Sequence, residues 1–370
     1  MKVLVVLAQP PLPEGEAPAR CHVALLRGLR AHGLDVRAIA ARQHYSVPGE
    51  PPDDLKVEIV PVPQTPRSHL ARLVRPRGEL AGGEFAARVA EAAMDVDVVH
   101  LEETQTSWAD EGIATPSLVH LHYLARQDRS LGPPWRKQFR DVLEFSLAER
   151  AAISRHRHLV ASSPLVADAL RRAAPLADIA LAPLSLDPAY YAPASLDGAP
   201  VVGMIGTAVW PPTAAAVRRL VAEVWPLVRR HVPDARLSIA GRGMDGVSGL
   251  GGEGVDVQGA VPSAVEFIRS LAVLLYPVAR GSGVKVKVLE ALACGVPVVT
   301  TAAGAEGIDP CEGVVVRESP QELADAASAL LLDHAERRRL GSAVRSAFER
   351  LYTPERATEP LLALYRRMTA

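Results

Sequence analysis

The sequence predicts an α/β protein built from two doubly wound, parallel-sheet domains joined by a short linker. Three observations predict it. The chain has 370 residues, more than one compact core accommodates. Units of strand, helix and strand recur on both sides of its middle, which implies parallel sheets with right-handed crossovers. Between the two series, prolines at 183, 188, 193 and 200 break the rhythm.

The elements follow in order. Val3 to Leu7 is a continuous apolar run ended by Gln9-Pro10-Pro11, as expected of a strand buried on both faces. A Pro/Glu/Gly loop leads to CHVALLRGLRAHG, which has helical spacing and a stop at Gly33. LDVRAIAAR, VDVVHL, PSLVHLH, HLVASS and DIALAPL read as further strands, with helices within 133–156 and at PLVADALRRA. After the linker come strands at APVVGMIG, ARLSIAG, LAVLLYP, VPVVTT and GVVVR. Their helices are TAAAVRRLVAEVWPLVRRHV, SAVEFIRS, KVKVLEALACG and two more before residue 353. The expected division is 1–183 for the first domain, 184–200 for the linker and 201–353 for the second domain. An amphipathic helix at 354–370 should pack back on the first domain.

Composition narrows the function. Apolar residues make up 48% of the chain and aromatics only 4%, so Ala, Val and Leu must fill both cores. With 41 basic against 42 acidic residues, the chain lacks the basic excess of a nucleic-acid binder. Cys21, Cys294 and Cys311 are too scattered for a disulfide framework or a metal cluster. The start MKVLVVLAQPP is too short for a signal-peptide core, and no run of about 18 apolar residues occurs. These features predict a cytoplasmic chain. High Ala, Arg and Pro usage suggests a GC-rich bacterial genome.

The most informative segment is YPVARGSGVKVKVLEALACGVPVVTT, 276–301. A strand ends at Pro277, and the small-residue loop Gly281-Ser282-Gly283 opens into a helix. Glycines admit a ligand close to the backbone, and a helix start offers N–H groups and positive potential to phosphate oxygens. Lys285 and Lys287 stand at the same end and can neutralise a diphosphate. Glu290 lies one turn inside, where a carboxylate can accept two hydrogen bonds from a ribose diol. A Gly-Ser-Gly loop is often only a turn, and a first-turn lysine is often only solvated. Glu290 resists that reading, because an unpaired carboxylate in an apolar helix is costly to bury.

In the first domain, strand alternation puts His120 and His122 on one face, with His122 at the carboxyl end where ligands gather in such sheets. The competing reading is a strand-end histidine bonded to backbone. An i, i+2 histidine pair also suggests a metal. No third ligand has suitable spacing along the chain, so none is expected.

The segment resembles the GT4-type retaining glycosyltransferases, which have the GT-B fold of two Rossmann-like domains with an interdomain cleft. Their donor domain ends its loop-helix element in Glu-Ala-Met-Ala-x-Gly-x-Pro-Val-Val, and here residues 290–299 read Glu-Ala-Leu-Ala-Cys-Gly-Val-Pro-Val-Val. One subgroup has the loop Gly-Ser-Gly-Thr-Arg-x-Lys-x-Leu-Glu, which Gly281 to Glu290 matches with Lys285 in place of Arg. By resemblance, Gly281, Ser282, Gly283, Lys285, Lys287, Leu289 and Glu290 bind the donor, and Glu290 holds the ribose hydroxyls. APLSLDPAYYAP (182–193) resembles the family's interdomain crossing, and 203–243 its first donor-domain β-α-β unit. There, Gly206 and Thr207 begin the donor loop, Arg242 reaches the phosphates or base, and the Gly259-Ala-Val261 backbone cradles the base. His122 matches the family's active-site histidine, which hydrogen-bonds the sugar's 6-hydroxyl. With Lys287 it is an expected catalytic residue. Gly15 remains of the family's glycine-rich phosphate loop, beside Glu14 and Glu16, which would repel a phosphate unless turned away.

Departures are specific. The family's first acidic residue, eight positions before Glu290, is Ser282 here. The usual Arg and Lys that grip the diphosphate after Gly206 are Thr207 and Thr213, a loss shared with the subgroup carrying Trp210-Pro211-Pro212. Lys285, Lys287, Arg280 and backbone amides must then meet the phosphate charge.

Outside the motif, His100 and Glu102-Glu103 read either as acceptor contacts or as a solvated strand-end cluster. Glu306 reads as a turn residue. Arg67, Arg72, Arg75 and Arg77 read as a solvated basic loop, or as a peripheral contact with the inner membrane face or an acidic acceptor.

The resemblance implies transfer of a sugar from a UDP- or GDP-linked donor to an unidentified acceptor hydroxyl, with retention, without a metal or other cofactor, and under domain closure. Two rival readings stand beside it. One is a non-catalytic nucleotide-sugar-binding subunit, favoured by Ser282, Thr207 and Thr213. The other is a non-hydrolysing nucleotide-sugar epimerase of the same architecture.

Overall fold

The computed structural model describes residues 1–129, 132, 133 and 135–370. It divides into two compact units, Met1–Asp187 with Thr353–Ala370, and Pro188–Tyr352.

The first unit opens with β1 (Lys2–Leu7), α1 (Ala17–Ala31), β2 (Asp35–Arg42), β3 (Val57–Pro61), α2 (His69–Val74) and α3 (Gly83–Ala93). It continues with β4 (Val98–Glu102), α4 (Glu103–Thr106), β5 (Ser117–Leu121), α5 (Ala125–Asp128), α6 (Lys137–Arg155), β6 (His158–Ala161), α7 (Pro164–Ala173) and β7 (Asp178–Leu181). Its seven strands are all parallel in the order β3-β2-β1-β4-β5-β6-β7. The apolar runs explain this: Val3 to Leu7 and Val98 to Glu102 are buried along their whole length, as central parallel strands with helices on both faces require. The core gathers Leu4, Val6, Ile39, Phe85, Val99, Leu101, Val119 and Leu159.

The second unit runs β8 (Val201–Ile205), α8 (Pro211–Arg219), α9 (Trp225–His231), β9 (Arg236–Ala240), β10 (Val255–Val257) and α10 (Ala264–Arg269). Then come β11 (Val273–Tyr276), α11 (Val286–Ala293), β12 (Val298–Thr300), β13 (Val314–Val316), α12 (Pro320–Leu332) and α13 (His334–Leu351). Its sheet is also all parallel, in the order β10-β9-β8-β11-β12-β13. Between α8 and α9 the helix widens to a π turn at Leu220–Val224. Pro226 explains it, since proline lacks the N–H that would continue the α pattern.

The final helix, α14 (Pro354–Thr369), returns to the first unit and lies along α1. Contact is close enough that a Cβ at Gly28 would stand 2.6 Å from Thr358 Oγ1. Strands β3 and β10 and helices α2 to α5 lie where the sequence pattern suggested no element. β3 and β10 are short, partly exposed edge strands that lack the apolar runs of the centre.

Both sheets reverse direction beside their first strand, between β1 and β4 and between β8 and β11. In open α/β sheets that crevice, at the carboxyl ends of the strands, is where ligands bind.

Candidate active site

In the second unit, the crevice is closed down by glycine. A Cβ on Gly206, just past β8, would stand 2.7 Å from Thr213 Cγ2 and 2.8 Å from Lys287 Cε. One on Gly241, at φ +128°, would collide with the Gly206 carbonyl. Gly206 N–H donates to Ala240 O at 3.0 Å, and Gly241 N–H to Gly259 O at 2.9 Å. Three strand ends are thereby drawn together, and the stem of Lys287 lies against the first of them at Gly206. Thr213 is buried, with its hydroxyl 3.2 Å from the Tyr276 hydroxyl, and Thr207 is exposed.

The Gly281–Gly283 loop leads into α11, whose first turn has no side-chain cap. Gly283 sits at φ +70°, a left-handed conformation that favours glycine. Lys285 curls back over the loop, its Nζ donating to the carbonyls of Ser282 (3.1 Å) and Gly283 (2.7 Å). It shapes the loop it was expected to charge. Ser282 is buried at 4% exposure. Leu289, expected among the binding residues, is a core side chain whose N–H donates to Lys285 O at 3.2 Å. Arg242 and Arg280 are exposed, and Glu306 is half-buried in a turn.

Glu290 is 1% exposed and accepts a hydrogen bond from the Tyr191 hydroxyl at 3.3 Å. A diol reaching this carboxylate must replace that hydroxyl. Burial, then the neighbouring Glu290 charge, pushes the Cys294 thiol up to about 12, which makes it a packing residue.

In the first unit, the crevice is lined by imidazoles. Pairing of β4 with β5 sets Glu102 opposite His120. Glu102 Oε1 lies 3.0 Å from His120 Nδ1 and 2.8 Å from His100 Nε2, while Oε2 lies 2.7 Å from His122 Nε2 and 3.6 Å from His22 Nε2. His100 Nδ1 meets the Tyr365 hydroxyl at 2.5 Å. All six groups of this cluster are buried, so the solvated strand-end reading of His100 and Glu102 is corrected: the carboxylate is enclosed by rings from β4, from β5 and the residue after it, and from α1. Burial opposes ionisation of Glu102, but the surrounding imidazoles outweigh it and hold the carboxyl well below its usual range. For His122, burial pulls down and Glu102 pulls up more strongly, so the ring is raised. His120 is depressed to about 4 by burial, which outweighs Glu102. Within the cluster His122 is therefore the ring that holds a proton more readily and His120 the one that gives it up more readily.

Spacing along the chain hid this arrangement. His22, His100 and Glu102 are distant in sequence from His122, and only strand register and the α1 packing unite them.

Gly15 closes the turn into α1, where a Cβ would stand 2.8 Å from Ala19 Cβ; its N–H donates to Leu12 O at 3.1 Å and its carbonyl accepts from Arg20. Glu14 and Glu16 are exposed. The basic segment is tied to carboxylates instead of forming a loose loop: Arg72 pairs with Glu144, Arg67 with Glu144 at 3.5 Å, Arg75 with Glu111 at 2.9 Å and Arg77 with Glu79 at 3.8 Å. It borders a cavity of about 1000 Å³. No described helix is long and apolar enough to cross a membrane.

Two Rossmann-ordered parallel sheets, each with a ligand crevice beside its first strand, define the GT-B class of glycosyltransferases. A model of the glycosyl transferase 4-like domain matches residues 17–185, and one of the glycosyl transferases group 1 matches 199–333. The chain belongs to this glycosyltransferase family. Sucrose-phosphate synthase from Thermosynechococcus elongatus superposes with TM-score 0.73 at 16% identity, over 100% of this chain and 99% of that one. Anabaena HepE in complex with UDP and glucose gives 0.66 at 15%, over 99% and 100%. A mutant of S. aureus TarM gives 0.67 at 10%, over 98% and 99%. No curated protein matches the sequence closely enough to count as a relative.

Proposed function

We propose that this glycosyltransferase transfers a sugar from a UDP- or GDP-linked donor to an acceptor hydroxyl with retention of configuration. The observation that carries the proposal is the stem of Lys287 lying against Gly206, at the mouth of the second unit's crevice. It brings a cation to the point where two strand ends and the start of α11 converge. The diphosphate fits there, against uncapped helix amides and the Lys287 ammonium, with its ribose diol at Glu290 in place of the Tyr191 hydroxyl. HepE, which shares the fold, has been captured with UDP and glucose, in keeping with a nucleotide-sugar donor.

Negative charge gathers on the leaving diphosphate as the glycosidic bond breaks. Lys287 and the helix amides face that charge, so the diphosphate requires no divalent ion. The acceptor hydroxyl attacks from the face the diphosphate leaves and passes its proton to a phosphate oxygen. His122 holds the sugar's 6-hydroxyl, and the first unit receives the acceptor.

Calorimetric titration with UDP and GDP tests the donor site. One of them should bind in the micromolar range to the wild-type chain and at least tenfold more weakly to Lys287→Ala. Donor hydrolysis without added Mg²⁺ or Mn²⁺ should proceed at the rate seen with them, and the released product should carry the donor's anomeric configuration. Absence of binding by either nucleotide to folded protein overturns the proposal.

A further inference from the structure

Four imidazole nitrogens crowd the Glu102 carboxylate, two at each oxygen, yet most of them are not turned to donate to it. Among the described residues, His120 Nδ1 makes an aligned hydrogen bond to it at 3.0 Å. His100 Nε2 and His122 Nε2 come to 2.8 and 2.7 Å, yet neither forms a hydrogen bond with acceptable angles. Both ring nitrogens of His22, 1% exposed, and His120 Nε2 have no hydrogen-bond partner. Buried polar atoms left this way are rare and call for an explanation. A purely hydrogen-bonded cluster does not supply one, since it would turn the N–H groups onto the oxygens.

We propose that His100, Glu102 and His120 bind a divalent first-row transition metal ion of the zinc kind. One nitrogen from each ring and one carboxylate oxygen lie within 4.8 Å of one another, all on buried residues. Tetrahedral zinc with bonds of about 2.0–2.2 Å sets its ligands roughly 3.4 Å apart, so the present 2.8 and 3.0 Å contacts need only a small expansion. Two imidazoles and one carboxylate suit zinc and its neighbours, whereas Mg²⁺ prefers oxygen ligands and retained water. Ligating histidines characteristically fix their second nitrogen on another group, and His100 Nδ1 does so on the Tyr365 hydroxyl at 2.5 Å. A cavity of about 20 Å³ beside the cluster, bordered by His22, Glu102, His120 and His122, has room for one water as a fourth ligand.

This departs from the expectation of no metal, which rested on the lack of a third ligand suitably spaced from the His120 and His122 pair; here β4 brings two side chains, His100 and Glu102, beside His120 on the neighbouring strand. The ion belongs to the first unit and takes no part in holding the diphosphate. Its consequence is positional. With Oε1 of Glu102 on the metal, Oε2 remains 2.7 Å from His122 Nε2 to orient that ring.

The test is metal content of the full chain, stripped with chelator, supplied with Zn²⁺ or Mg²⁺ and dialysed, with melting temperature as a second readout. One Zn²⁺ per chain, no retained Mg²⁺ and a raised melting temperature are expected. Glu102→Gln should weaken Zn²⁺ binding by about 100-fold and Tyr365→Phe by about tenfold, while the surface variant His231→Ala leaves it unchanged. Should the core variants fail to fold, Co²⁺ in the wild-type chain decides: absorption bands of a four-coordinate nitrogen/oxygen site support the proposal, and an octahedral spectrum overturns it. Folded wild-type protein retaining below roughly 0.1 Zn²⁺ per chain, or Glu102→Gln binding as tightly as wild type, also overturns it. UDP and GDP titrations of the same samples report on the donor site separately, so either proposal can fail without the other.

Discussion

The two sheets share a strand order about their first strand, and each opens a crevice at the same topological point. They furnish it with opposite chemistry. Beside β8 the second unit has small residues, Gly206, Gly241 and Thr213, and one long cation laid over them. Beside β1 the first unit has bulky imidazoles enclosing Glu102. Bare backbone and a long-stemmed cation suit a flexible polyanion. A packed, mutually braced set of rings suits a fixed direction in space. On the proposed function, one fold would supply a holder and a positioner, and the difference between them lies in side chains at equivalent strand ends.

The sharpest way to break that comparison is to remove one group from each side. Lys287→Ala should lower both donor affinity and kcat, with kcat falling by about 100- to 1000-fold, the range seen when a single donor to a developing anion is lost. His122→Ala should lower kcat while leaving the donor Kd within about twofold of wild type. Steady-state kinetics combined with calorimetry separates the two. Equal losses of binding and turnover in His122→Ala would remove the division of labour.

The sequence made part of this visible. Runs such as Val3 to Leu7 and Val298-Val299-Thr300 have only one comfortable home, a central parallel strand, so both sheets could be read from it. The stretch from Gly281 to Glu290 declared its loop and helix because glycines and helical spacing are local signals. What it could not declare was register. His22, His100 and His120 meet only because α1 and β4 flank β1 and because Glu102 pairs with His120 across the β4–β5 ladder. The inward turn of Glu290 onto Tyr191 and the curl of Lys285 onto its own loop are likewise tertiary facts.

A second test concerns how each unit treats a buried charge. In the second unit, Arg337 is fully buried but satisfied, donating to the carbonyls of Leu196 at 2.7 and 3.0 Å and of Leu330 at 3.2 Å. In the first unit, burial pushes the Glu149 carboxyl up to about 7 against the Ala125 N–H that donates to it at 2.6 Å. The folded value lies above the unfolded one, so between roughly pH 4.5 and 7 the folded chain keeps a proton that the unfolded chain has lost. Stability from this group is complete below that window and declines as pH rises through it, by about 3 kcal/mol in all. Glu149→Gln should abolish that decline, read as equal melting temperatures at pH 5 and pH 8 where wild type loses several degrees. An unchanged wild-type slope in the variant would assign the pH dependence to other groups.

The smallest effect tests the holder itself. The family's paired cations after the first donor-domain glycine are both threonine here, but the two positions are not equivalent. Thr213 is 1% exposed, and its Cγ2 lies beside the space over Gly206 that the Lys287 stem also enters. A lysine at 213 would bring a second cation into the buried space beside the Lys287 stem, at a desolvation cost that threonine avoids. Thr207 is exposed and has room. Thr207→Arg should therefore fold normally and tighten UDP or GDP binding by about two- to fivefold, the modest gain of a solvent-screened charge pair. Raising ionic strength should erase most of that gain, since screening acts first on exposed charges. A gain that survives high salt would place the guanidinium in a bidentate, desolvated contact, and the holder would then grip with more than Lys287 and helix amides.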